Sequence, residues 1–182
     1  TGWEAPPLTH FTFVCAVFPL NSLLFNAFSL TLHPKTSIIR QLMKKTLVDL
    51  FEASVSKYPN NTFLLEKTNK VFEPTTYKQV QEKVYQLGAG LQALGVKKGD
   101  NMALLSEGRN MWVIGELAMF YAGAVNVPLS IKLEESNDLM FRLLHGDVKY
   151  IMVSGTQLKK VRQIKDKLPA VEKIIVFDSQ ES

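Results

Sequence analysis

Few residues in this chain combine the side-chain types and the spacing that chemistry requires. The best grouped are Ser106-Glu107-Gly108-Arg109-Asn110, a polar loop directly after the apolar run Met102–Leu105. If that run is a strand, the loop lies at its carboxyl end, where ligands bind in open α/β sheets. Glu107 and Arg109 could serve such a ligand, but a surface ion pair or loop anchor is the preferred reading. Gly88 and Gly90 suggest a phosphate loop, but their spacing is not G-x-G-x-x-G and no strand directly precedes them. Close packing of a helix on a sheet is the expected reason for these glycines. His10, His33 and His145 are too scattered for a zinc or catalytic cluster, and His145 falls in the last turn of an expected helix, where a cation suits the helix dipole. The single cysteine, Cys15, excludes an internal disulfide and a cysteine-rich metal site. No complete catalytic set emerges, so no catalytic, cofactor-binding or metal-ligating residue is assigned.

The elements that must position these groups are clear from periodicity. Leu47, Leu50, Phe51 and Val55 recur at helical spacing, with Thr46 and Asp49 as caps, and predict a helix over 46–57. Short β-type runs at 62–66 and 71–73, joined by a polar turn, predict a hairpin. Thr76 and Gln79 form a capping-box pattern for a helix carrying Tyr77, Val80, Val84, Leu87, Leu91 and Leu94, which Gly95 ends. Met102–Leu105, Ala124–Leu129, Tyr150–Val153 and Val171–Phe177 are apolar runs without alternation, as expected of strands buried on both faces. Helices are expected between them at 111–121, at 134–145 and up to Lys167, the last opened by a second capping box from Ser154 and Gln157. Trp112 is expected in the core. Lys159, Lys160, Arg162, Lys165 and Lys167 are read as a solvated helix face. The fold class is α/β: an incomplete, doubly wound, mostly parallel sheet with flanking helices, preceded by a helix and a β-hairpin.

Apolar residues make up 46% and charged residues 21% of the 182, the balance of a globular chain. The net charge of +4 is modest and no dense basic tract is interleaved with aromatics, which argues against a nucleic-acid partner. Residues 1–42 hold one acidic residue (Glu4) and two basic ones (Lys35, Arg40) of the chain's 17 and 21. Phe11 to Leu32 is a 22-residue run without charge, long enough to span a bilayer core. As a span it would leave the following domain on the cytoplasmic side, because Lys35, Arg40, Lys44 and Lys45 follow it. Pro19, Asn21, Ser22 and Asn26 interrupt it, no basic region precedes it, and Met43-Lys44-Lys45 reads as an ordinary bacterial start. The preferred expectation is therefore a non-domain extension, read-through or cloning remnant, over 1–42 and a domain over 43–182. Membrane contact through 11–32 is the alternative.

From Met43 to Phe177 the chain resembles the N-terminal part of the adenylate-forming, AMP-binding ligases, and within them the fatty-acid type of acyl-CoA synthetase. The carrying stretches are TLVDLFEASVSKYPNNTFLL (46–65), LGAGLQALGVKKGD (87–100), LLSEGRNMW (104–112), GELAMFYAGAVNVPL (115–129) and YIMVSG (150–155). The resemblance implies a parent enzyme that uses ATP, coenzyme A and Mg²⁺ to convert a long-chain fatty or other carboxylic acid through an acyl-adenylate to a thioester. It also implies a cytoplasmic setting. Ser154-Gly155-Thr156 is similar to the start of the family's phosphate loop, but Gln157-Leu158-Lys159-Lys160 follow, without its second glycine. The expectation is a catalytically inert N-terminal portion. A stand-alone interaction module on part of the ligase fold, and the N-terminal part of a different adenylating enzyme, are the alternatives.

Overall fold

The computed structural model describes residues 46–178, and the expectations for 1–42, the apolar run 11–32 included, lie outside the described residues. Helix α1 (Leu47–Lys57) opens on a reciprocal cap. The Thr46 hydroxyl accepts from the Asp49 N–H at 3.1 Å, and the Asp49 carboxylate accepts from the Thr46 N–H at 2.9 Å. Phe51 and Val55 are buried, whereas Leu47 and Leu50, which share their period, are exposed. Strands β1 (Thr62–Thr68) and β2 (Val71–Thr76) form the expected antiparallel hairpin, with longer arms than the sequence suggests. Asn69 and Lys70 both take positive φ, which makes a two-residue turn and lets the ladder continue to the Thr68–Val71 pair. Helix α2 (Tyr77–Ala93) carries the predicted capping box, and Gly95 follows it at φ +104°.

A four-stranded parallel sheet follows, built from β3 (Asn101–Leu105), β4 (Val125–Leu129), β5 (Val148–Val153) and β6 (Lys173–Val176) in the order β4-β3-β5-β6. Helix α3 (Asn110–Ala122) links β3 to β4, and α5 (Leu158–Ile164) with one 3₁₀ turn (Lys165–Lys167) links β5 to β6. Between β4 and β5 the single helix expected over 134–145 is instead a π-turn (Glu135–Leu139) leading into the short α4 (Met140–His145). The Leu139 N–H reaches back to the Glu134 carbonyl, and Leu139 and Leu143 are both sealed against the sheet.

Strand side chains alternate between two cores. Met102, Leu104, Tyr150 and Met152 pack with α1, α2 and α3, while Ala103, Leu105, Ile151 and Val153 pack with α4 and α5. This two-sided burial is why the strands lack polar alternation. Trp112 packs against the first core, as expected.

Glycines set how closely the layers approach. A methyl at Gly115 of α3 would lie 2.9 Å from Met152 Sδ and 3.1 Å from the Phe177 ring, so this position brings α3 down onto β5. A methyl at Gly88 would lie 3.4 Å from the Ala118 carbonyl oxygen and 3.5 Å from Tyr121 Cβ. Gly88 therefore serves helix-on-helix packing of α2 against α3, a correction to the expected helix-on-sheet contact. Gly90 has nothing within 4 Å of such a methyl, so close packing does not explain it. Glu52 ties the three helices of this layer together: it accepts from Gln81 at 2.6 Å and Tyr85 at 2.8 Å on α2, and from Tyr121 on α3. Burial, and then the Glu52 carboxylate, push the Tyr121 hydroxyl pKa up, which keeps this donor protonated.

At the other end of the strands, Asp100 closes the turn before β3. Its carboxylate accepts from Lys149 Nζ at 2.7 Å and from the Lys97 N–H at 2.9 Å. The Lys149 ammonium and then the Lys97 N–H hold the Asp100 carboxyl below its usual range, against the opposing effect of burial.

Two outcomes follow for stability. Gly115→Ala should cost about 1–3 kcal/mol through overpacking, whereas Gly90→Ala should be neutral or gain up to about 1 kcal/mol; urea denaturation of both variants checks the contrast. Because the folded-state pKa of Asp100 is depressed, its contribution is complete above the unfolded value of about 3.9 and is lost as pH falls through the folded value. Asp100→Asn should accordingly lower stability at neutral pH and shrink the acid-side loss, as read from Tm measured against pH.

Candidate functional site

The connection leaving β3 runs over one face of the sheet through α3, and the connection leaving the adjacent β5 runs over the other face through α5. Between the carboxyl ends of β3 and β5 the chain thus diverges, and such a switch point is where open α/β sheets form their ligand crevice. The loop 106–110 lies here, as the sequence leads one to expect, and brings Glu107 to the crevice. Gln157, from the turn after β5, donates to Glu107 Oε1 at 2.6 Å. Burial raises the Glu107 carboxyl, but the Gln157 amide, the facing Ser154 hydroxyl, the loop's own backbone and Arg109 outweigh it, so its pKa lies below the ordinary carboxylate value.

Ser154 and Gln157 do not form the expected capping box. Gln157 itself occupies the N-cap position of α5 without a side-chain cap bond, because its amide is committed to Glu107. The Ser154 hydroxyl is wholly buried and faces the Glu107 carboxylate outside hydrogen-bond geometry, and Gln157 Oε1 is likewise buried without a protein partner. Two buried oxygens without protein partners thus lie beside a carboxylate at the sheet's carboxyl edge.

Arg109 stands beside this crevice. Its Nη1 pairs with Asp178 at 2.8 Å and its Nε lies 4.0 Å from Glu66 of β1. Asp178 Oδ2 also accepts from the Gly155 N–H at 2.7 Å. Arg109 is thus tied by an ion pair to the chain following β6, and Glu107 by a hydrogen bond to Gln157, so that both anchor the loop. Neither Gln157 in this role nor Asp178 was singled out by sequence reasoning; the available signal was that each follows an apolar strand. Within Ser154-Gly155-Thr156, the stretch that resembles the start of a phosphate loop, the Gly155 N–H is already taken by Asp178 and is closed to a phosphate. His145 closes α4, as expected. Among the described residues no group of three or more His, Cys, Asp or Glu could hold a metal ion, and no helix is long and apolar enough to cross a membrane.

Residues 51–182 match the family model described as AMP-binding enzyme. The chain belongs to this family. Among its relatives it is 28% identical over 119 residues to long chain acyl-CoA synthetase 1 of Arabidopsis thaliana, covering 63% of this chain and 18% of the relative. It is 32% identical over 98 residues to the 2-succinylbenzoate–CoA ligase of Listeria monocytogenes, covering 53% and 21%. The fold matches a crystal structure of a long-chain-fatty-acid-CoA ligase from Archaeoglobus fulgidus with a TM-score of 0.69 at 19% identity, over 76% of this chain and 28% of that one. The chain therefore spans about a fifth of the length of these curated relatives. In this AMP-binding domain the α/β layering is the one expected from the sequence.

Glu107→Ala should cost about 1–3 kcal/mol, because it strands the buried Gln157 amide. Ser154→Ala removes a hydroxyl that has no protein partner and should be close to neutral. Equal losses for the two variants in chemical denaturation would show that an ordered water or ligand pairs Ser154.

Proposed function

We propose that residues 43–182 form the N-terminal part of the catalytic domain of an ATP-dependent acid–CoA ligase, which activates a long-chain fatty acid as its acyl-adenylate and passes the acyl group to coenzyme A. The observation that carries this reading is the match of residues 51–182 to the AMP-binding family together with similarity to a long chain acyl-CoA synthetase. The alternating two-sided burial of β3 and β5 supports a scaffolding role for this region: it presents the loops at the sheet's carboxyl edge.

In this reading the described residues carry no catalytic group. Glu107, Gln157, Arg109 and Asp178 hold the edge loops in place, and the acid, ATP and coenzyme A are substrates of the whole enzyme. Mg²⁺ accompanies ATP, and we place it away from these residues, which offer no carboxylate cluster for it. The chemistry's need for ATP and coenzyme A, with the single Cys15, supports a cytoplasmic setting. Residues 1–42 are an extension outside the domain. The 32% identity to a 2-succinylbenzoate–CoA ligase favours an aromatic acid as the second reading of the substrate.

The test is acid-dependent exchange of pyrophosphate into ATP by the complete protein that carries this sequence. Exchange should rise with long-chain fatty acids and remain at background for residues 43–182 alone. Exchange supported by 2-succinylbenzoate and not by fatty acids would replace the first substrate by the second, and exchange by residues 43–182 would overturn the scaffolding role.

A further inference from the structure

Arg109 is claimed by carboxylates on two sides. Its Nη1 pairs with Asp178 Oδ1 at 2.8 Å and its Nε lies 4.0 Å from Glu66 Oε1, so the guanidinium is seated on the first and within reach of the second. Glu66 stands directly across the hairpin from Glu73, and like charges in that relation repel. Glu73 has no ion pair among the described residues. Lys67, the next residue along β1, belongs to the other face of the hairpin and lies over the Phe72 ring. Thr75, two residues on from Glu73 and therefore on its face of β2, accepts from Asn110 Nδ2 at 3.3 Å. The face that carries both glutamates is thus the one turned to the loop 106–110, and Arg109 is the one cation among the described residues in salt-bridge range of it.

On the other side, Asp178 divides its two oxygens between two partners: Oδ1 meets Arg109, and Oδ2 accepts from the Gly155 N–H at 2.7 Å. A methyl at Gly155 would lie 3.1 Å from that Oδ2, so the glycine lets the carboxylate close on the N–H. The Arg109 and Asp178 side chains are 30% and 33% exposed, so burial locks neither in place.

We propose that Arg109 is a two-position clamp that makes the cover over the Gly155 N–H depend on the hairpin. In the position seen here Arg109 holds Asp178, and Asp178 covers the N–H. In the second position the guanidinium turns to Glu66 and Glu73 and offsets their mutual repulsion. Asp178 then loses its cation, and the Gly155 N–H is released to donate to another acceptor. The two positions compete for one cation, so a gain on one side is a loss on the other. Bracing alone has no such opposition, because loosening either end would loosen both. The device is defined by these contacts and stands whatever acid the parent enzyme activates.

Amide hydrogen exchange of the isotope-labelled 182-residue chain tests it, with the amides of β3 and β5 as the internal reference for overall stability. In Asp178→Ala the amides of β1 and β2 should exchange roughly two- to fivefold more slowly than in the parent chain, the factor that an exposed ion pair is worth. In Glu66→Gln/Glu73→Gln the Gly155 amide should slow by a similar factor, because Asp178 alone then claims Arg109. In Arg109→Gln both should exchange faster. Hairpin exchange that is unchanged or faster in Asp178→Ala overturns the proposal, as does Gly155 exchange that is unchanged or faster in the glutamate variant; either result would leave Arg109 as a brace.

Discussion

Burial of β3 and β5 on both faces is the constraint on which the rest depends. Met102 and Leu104 look into one core and Ala103 and Leu105 into the other, and all four are essentially inaccessible. A strand in that position cannot be supported by one layer of helices. The chain must cross the sheet on both sides, and because parallel crossovers are right-handed, it must move toward one edge on one face and toward the other edge on the opposite face. The order β4-β3-β5-β6 is the shortest solution: α3 carries the chain from β3 outward to β4, and α4 and α5 carry it back across and beyond. The divergence between β3 and β5 that creates the crevice is a consequence of that winding.

The same constraint explains where the polar groups settle. The two strand ends carry different arrangements of polar groups. At the amino edge, Asp100 is fully paired by Lys149 and a backbone N–H, so its charge is held at little cost. At the carboxyl edge, Glu107 is paired by one amide, while Ser154 and Gln157 keep buried oxygens without protein partners. An unpaired buried oxygen costs free energy, and Asn126 Oδ1, near the amino end of β4, is a third such atom among the described residues. Asp178 and Arg109 brace the loops around it, joining the chain after β3, β5 and β6.

How much was legible beforehand follows from how local each signal is. The capping pairs Thr46–Asp49 and Thr76–Gln79, the left-handed Gly95 and the uninterrupted apolar strands depend on neighbours in sequence, and each appears where the sequence places it. Ser154 and Gln157 have the same letters of a cap three apart, yet Gln157 turns to Glu107, a residue 50 positions away. A long-range hydrogen-bond partner overrode the local motif. Gly88 was assigned to the right kind of contact on the wrong surface, because periodicity says which side of α2 is buried but not whether a helix or a sheet waits there. Arg109 was read as a surface ion pair or loop anchor without a named partner; that partner, Asp178, is brought close only when β6 is laid beside β5. The π-turn before α4 likewise depends on the fit of Leu139 and Leu143 to the sheet, which no local pattern records.

What the family shares in this region is therefore a layered scaffold. Relatives named for a long-chain fatty acid and for 2-succinylbenzoate match stretches of 119 and 98 residues, which must overlap in a chain of 182. The apolar side chains at the centre of this region are packed away. Leu91, Met102, Leu104, Met119, Ile151 and Met152 are closed into the cores, and Gly115 removes the space a side chain would need between α3 and β5. A segment packed in this way can be common to enzymes of different specificity, because fold and substrate choice are carried by different residues. A sheet packed on both faces can hold its carboxyl-edge loops in one arrangement, whatever those loops serve.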